Sequence, residues 1–71
     1  MFDAKKFRII LMQRDKSISD IASLMGVNIT TVYRKINGRS DFYRDEIQLI
    51  SDYLRLSTEE KEEIFFAKNI T

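Results

Sequence analysis

The chain has no cysteine, no histidine and no proline, and only two of its 71 residues are glycine. Each absence closes a class of answers. Without cysteine there is neither a disulfide framework nor a thiolate metal site. Without histidine, the commonest general base and the commonest metal ligand are missing. So few turn-forming residues disfavour a turn-rich all-β fold and suit helices. No apolar run approaches the roughly 18 residues of a membrane span, and no signal-peptide core is visible, so a soluble, intracellular protein is expected. The carboxylates fall mainly on exposed helical positions, with no nucleophile–base pair and no metal constellation. Neither catalysis, nor a cofactor, nor a small-molecule substrate is expected.

What remains suits one small domain over residues 1–71. Hydrophobic residues make up 44% of the chain, enough for one compact core. A chain this short buries only about 60% of its unfolded surface, so its stability margin is thin. The net charge of +1 hides an asymmetry. Residues 1–44 carry nine Lys/Arg and four Asp/Glu, whereas residues 45–71 carry three and seven. A basic face favours phosphate, and an acidic end favours solubility or a basic partner. The plainer alternative is that small domains often divide their charges in this way.

The apolar spacing predicts five helices and an all-α bundle. Asp3 can cap the first, with Phe2 and Phe7 placed as a hydrophobic staple and Phe7, Ile10 and Leu11 as its inward stripe. That helix runs to about Arg14 and breaks over Asp15 and Lys16. The second spans residues 17–25 and the third 28–36. Residues 38–42 form a loop whose Phe42 plugs into the core. The fourth helix covers about 43–54, with Ile47, Ile50 and Leu54 inward and Asp41 the best candidate cap. Ser57 and Glu60 form a capping-box pattern that opens a fifth, ending near Phe66 or Ala67. The tail 68–71 is expected to fray.

The stretch 17–38 organises the rest. Ser17 is a good N-cap, and Asp20 three residues on completes a capping-box pattern. Ile21, Ala22 and Met25 share a helical face. Gly26 follows them, where a left-handed residue ends a helix without Cβ strain. Val27 is expected to tuck into the core. Asn28 can cap the next helix, whose inward residues are Val32 and Ile36, and Asn37-Gly38 ends it. Two short helices joined by a glycine turn are the layout of a helix-turn-helix. On a wheel, Thr30, Arg34 and Asn37 face away from Val32 and Ile36; Tyr33 lies on one shoulder, Thr31 and Lys35 on the other. Thr30 offers a hydroxyl and a methyl to a base edge, and Arg34 can fork onto guanine or a phosphate. Ser17 and Ser19, at the start of the supporting helix, suit phosphate contact; Asn37, Arg39 and Arg44 could hold the backbone downstream. The bland alternative is that Arg34, Lys35 and Arg39 form a solvated face.

In these residues the chain resembles the Cro/repressor-type helix-turn-helix family of phage regulators. The matching pieces are I-A-S-L-M-G-V (21–27), T-T-V-Y-R-K-I-N-G (30–38) and E-I-Q-L-I (46–50), and E-E-I-F-F (62–66) is similar to small regulators of phages of Gram-positive hosts. The resemblance implies a compact five-helix fold of the lambda-repressor type, acting in the cytoplasm of a bacterial host. It implies operator binding, usually as a dimer, in the choice between lysogeny and lytic growth. It places base-reading positions at Ile29, Thr30, Tyr33 and Arg34, and phosphate-gripping positions at Ser17, Ile18, Asn37 and Arg39. The chain departs from the family at Ile18, where many members have a phosphate-gripping Gln, and at Ile29, where a polar side chain is frequent. Ile29 is either core or, with Ile18 and Tyr33, part of an apolar surface patch of the kind that meets a protein.

Two functions therefore stand open: a Cro-type repressor that reads double-stranded operator DNA, and an antirepressor that docks on a phage repressor protein through the same helices. For a second copy of the chain, the candidate surface is Ile64, Phe65, Phe66 and Ile70. The alternative is that Phe65 or Phe66 closes over the first helix. Tyr53 and Leu56 are similarly open.

Overall fold

Residues 1–67 are described by the computed structural model, and among them five helices and no strand are found. They are α1 (Ala4–Gln13), α2 (Ile18–Met25), α3 (Ile29–Ile36), α4 (Arg44–Leu54) and α5 (Thr58–Phe65). The fold class is all-α, and none of these helices is long and apolar enough to cross a membrane. The expected fraying of residues 68–71, and the place of Ile70 in the apolar run, lie outside the described residues.

Four of the five helices start on a short polar side chain, because each leaves backbone N–H groups without an intrahelical partner. Asp3 accepts the Lys6 N–H, Asn28 the Thr30 N–H, and Ser57 the Glu60 N–H. At α2 the box is closed both ways: Ser17 Oγ accepts the Asp20 N–H at 3.1 Å, and Asp20 Oδ2 accepts the Ser17 N–H at 2.7 Å. The start of α4 corrects the expectation at Asp41. Tyr43 holds the cap position, and its N–H donates to Glu46 Oε1 at 2.8 Å. Asp41 is exposed and contributes only its carbonyl, to Lys35.

The ends of α1 to α4 share one closure. A residue with positive φ follows the helix, and the N–H after it reaches back five residues: Lys16 to Leu11, Val27 to Ala22, Arg39 to Arg34, Leu56 to Ser51. At α2 and α3 that residue is glycine, with φ of 68° at Gly26 and 79° at Gly38. At α1 and α4 it is Asp15 and Arg55, at 57° and 55°, where a side chain is strained. A Cβ added to Gly26 would meet nothing within 4 Å, so the turn needs glycine for its backbone conformation and not for space. The same turn corrects the placing of Val27. Its N–H is drawn back to Ala22, and its side chain is left 36% exposed at the surface.

All five helices feed one core, in which Phe7, Ile21, Val32, Ile50, Leu54 and Ile64 are the most deeply buried side chains. Phe42 plugs in beside it as expected, in a cluster with Phe2, Phe7 and Phe65 whose centroids are 4.9–6.3 Å apart. Phe2 and Phe7, 5.3 Å apart and nearly edge to face, are the staple of α1. Tyr53 and Leu56 are half-buried against the core. Of the candidate surface for a second copy, Ile64 and Phe65 are buried inside the chain, and Phe66 alone of the three stays outside, at 56%. An isoleucine and a phenylalanine spaced one apart both reach the core because α5 packs with its last turn between α1 and the Phe42 loop.

Candidate nucleic-acid interface

The buried side of α3 is held by Val32 and Ile36, and that choice sets what the helix shows to solvent. Residues four apart on a helix lie one above the other. Two adjacent lanes remain exposed, one along the edge of that buried stripe and one facing away from it. One holds Ile29 and Tyr33, each 39% exposed, with Val27 just before it. The other holds Thr30, Arg34 and Asn37, all exposed. Ile29 is thus a surface residue. Thr31 is half-buried on the far shoulder, and Asn28 lies exposed at the cap with its side-chain oxygen committed to Thr30 N–H. Among the described residues, the side chains of Thr30, Arg34, Asn37, Arg39 and Arg44 take part in no intramolecular hydrogen bond or ion pair. From residue 21 to residue 40 there is no Asp or Glu at all.

The N-terminus of α2 is more restricted than its sequence suggests. The hydroxyl of Ser17 donates to Asp20 Oδ2 at 3.0 Å while accepting the Asp20 N–H. These hydrogen bonds hold the Asp20 carboxyl below the ordinary aspartate range, first through the Ser17 backbone and then its hydroxyl, so an anion sits in the first turn. What this end offers a phosphate is the hydroxyl of Ser19 and the N–H groups of Ile18 and Ser19. Ile18 itself is half-buried against the core and lines a shallow depression with Ser17, Lys16 and the end of α1. Arg44 stands apart: it lines a depression with Gln48, Lys61 and Phe66, on the α4–α5 side.

Lys35 departs furthest from expectation. Instead of lying on a solvated shoulder it is 4% exposed. Its ammonium donates to the Asp41 carbonyl at 2.8 Å, pairs with Glu46 Oε1 at 3.1 Å and sits 4.4 Å from the centre of the Tyr43 ring. It clasps the end of α3 to the following loop and to the first turn of α4. A signal for this was present: at about 100° per residue Lys35 lies only about 60° from Val32, close to the inward stripe. Arg14 had no such signal. Its Nε donates to the Leu54 carbonyl at 3.0 Å, and one guanidinium nitrogen lies 3.2 Å from both oxygens of Glu60. Lys6 pairs with Glu63. Among the described residues, three of the nine basic side chains in residues 1–44 are therefore internal fasteners, and Arg34 and Arg39 are left as the free cations in and just after α3.

Compared with protein-family models, with curated proteins and with solved structures, the chain matches none. Among the described residues no three carboxylates gather as a metal site.

Proposed function

We propose that this chain is a transcriptional regulator of the Cro/repressor type. It uses α2 and α3 as a helix-turn-helix and lays α3 in the major groove of a short, palindromic operator in a phage genetic switch. One observation carries the reading: the outer side of α3 presents a hydroxyl, a guanidinium and a carboxamide (Thr30, Arg34, Asn37) with no partner among the described residues, on a helix whose other side is locked into the core. Such groups on a rigid helix suit base edges and phosphates, because neither the helix nor the side chains must give up internal bonds to engage them. Arg34 and Arg39 supply positive charge in a stretch, residues 21–40, that carries no carboxylate.

Binding of the full chain to DNA from its own promoter region, followed by fluorescence anisotropy, tests this. Arg34→Ala should weaken specific binding by about 1–3 kcal/mol, and affinity should fall steeply with salt. An affinity unchanged between low and moderate salt would refute it.

A second reading has its own support. Val27, Ile29 and Tyr33 are each more than a third exposed, and Ile18 is half-buried. An apolar patch beside free polar groups also suits a protein partner. On this reading the chain is an antirepressor that covers the DNA-reading face of a phage repressor, with Thr30 and Arg34 bonding at the rim. Gel filtration of the two purified proteins decides it: a joint peak at micromolar concentration supports the antirepressor, and two separate peaks exclude it.

A further inference from the structure

We propose that a second copy of this chain docks on the face formed by α1 and α5, each copy laying its α1 over the α5 of the other. The outward sides of the two helices carry the inference. Phe7, Ile10 and Leu11 turn α1 into the core. At about 100° per residue, the opposite side falls to Lys5, Arg8, Ile9 and Met12, and all four are exposed. The outward side of a packed helix is ordinarily polar. Here it shows an isoleucine and a methionine between two cations, and no residue of α1 itself is acidic. Ile64 and Phe65 turn α5 inward in the same way. Its outward side falls to Glu59, Glu62, Glu63 and, just past the helix, Phe66, again all exposed. The two sets share one spacing, steps of three, one and three residues, with cations in one and carboxylates in the other.

That spacing reads the same in both directions, so an antiparallel neighbour can match it. Within the chain α1 and α5 already run antiparallel. The Asp3 N–H donates to the Ile64 carbonyl at 2.7 Å, Lys6 pairs with Glu63, and at the other end Arg14 lies 3.2 Å from Glu60. A two-fold axis laid along the pair keeps every residue at its own level and sets α1 of each copy over α5 of the other. Arg8 then meets Glu62 and Glu63 of the second copy, and Lys5 meets Glu63 and the Phe66 ring. The face is thus complementary in charge to itself, and that selects a second copy as its occupant. Lys5, Arg8, Glu59 and Glu62 have no ion-pair partner among the described residues, so they are free to pair across the axis. Ile9, Met12 and Phe66 leave water at the same contact. Helices of ten and eight residues offer a face of roughly 15 by 20 Å, well below the ~800 Å² per partner of a standard interface, so the pairing is weak. The depressions on this face are lined from α1, α5 and the residues beside them, with none from α3, so docking there leaves α3 uncovered.

Sedimentation velocity of the full chain from micromolar to millimolar concentration tests this. We expect a monomer–dimer equilibrium that weakens as salt is added. Arg8→Glu and Glu62→Lys each bring like charges together at both contacts, and each should weaken the dimer roughly tenfold or more. Mixed in equal amounts, the two variants should recover the natural affinity, because every contact of the mixed pair again sets a cation against a carboxylate. Both positions are exposed and unpaired among the described residues, and circular dichroism of each variant verifies the fold. A chain that stays monomeric at millimolar concentration and low salt overturns the proposal. So does a dimer that either variant leaves unchanged, which puts the contact elsewhere, or a mixture that fails to recover. Arg34→Ala should leave this equilibrium unchanged, so the pairing and the DNA reading of α3 fail independently.

Discussion

Replacing Lys35 by methionine removes the charge of the clasp while keeping most of its apolar stem. The structure sets the size of the effect. Lost are a charge-assisted hydrogen bond to the Asp41 carbonyl at 2.8 Å, the ion pair with Glu46 at 3.1 Å and the ammonium–ring contact with Tyr43 at 4.4 Å. A hydrogen bond to a charged group contributes about 1.5–3 kcal/mol net, and a partly desolvated ammonium–ring contact about 1 kcal/mol. Against this, the cost of burying the ammonium disappears. Glu46 is not stranded either, since its side chain is 21% exposed and still accepts the Tyr43 N–H. A net loss of about 2 kcal/mol follows, short of the roughly 3–5 kcal/mol seen when one partner of a buried pair is left uncompensated. For a domain of this size that lowers Tm by about 10–15 °C. Urea unfolding followed by far-UV circular dichroism measures it. Glu46→Gln should also destabilise, and the double variant should lose less than the two single losses together, because both remove the same pair. A Lys35→Met chain within about 0.5 kcal/mol of the natural one, or strict additivity in the double variant, would refute the clasp.

The helix ends yield a pair of opposed predictions. Gly26→Ala should cost about 1–2 kcal/mol through backbone strain alone, since its Cβ meets nothing. Arg55→Gly should gain up to about 1 kcal/mol, because Arg55 now bears that strain at φ 55°; both are read from urea midpoints. Acid should also destabilise the chain. Asp20 is held below its ordinary range by the Ser17 N–H and hydroxyl, and Glu60 by the Ser57 N–H and then the Arg14 guanidinium. A carboxyl depressed by folding stabilises the fold at all pH values above its unfolded value. That contribution is lost as the pH falls below about 4 through the folded values. Asp20→Asn with Glu60→Gln should flatten the stability profile in that window, as a series of urea titrations from neutral pH downward would register.

How much of this was legible in the residues depends on the range of the interaction concerned. Helix starts rest on contacts two or three residues apart, so Asp3, Ser17, Asn28 and Ser57 announced themselves, and so did the glycine ends at Gly26 and Gly38. Positive φ at Asp15 and Arg55 carried no such mark, because residues with a Cβ adopt that conformation only rarely and nothing in their type announces it as glycine does. Along α3, periodicity alone placed Val32 and Ile36 inward and Thr30 and Arg34 outward. It left Ile29 open, since an edge position on a helical wheel becomes core or surface only when a neighbouring helix covers it or does not. Charge was legible as a count and misleading as a surface. Lys6, Arg14 and Lys35 meet Glu63, Glu60 and Glu46 across separations of 11 to 57 residues, and one-dimensional spacing cannot reveal such pairings. Local chemistry therefore dictated the five helices and the direction in which α3 points. The packing of those helices against one another settled which cations remain free to meet a partner, and that an apolar lane lies exposed beside them.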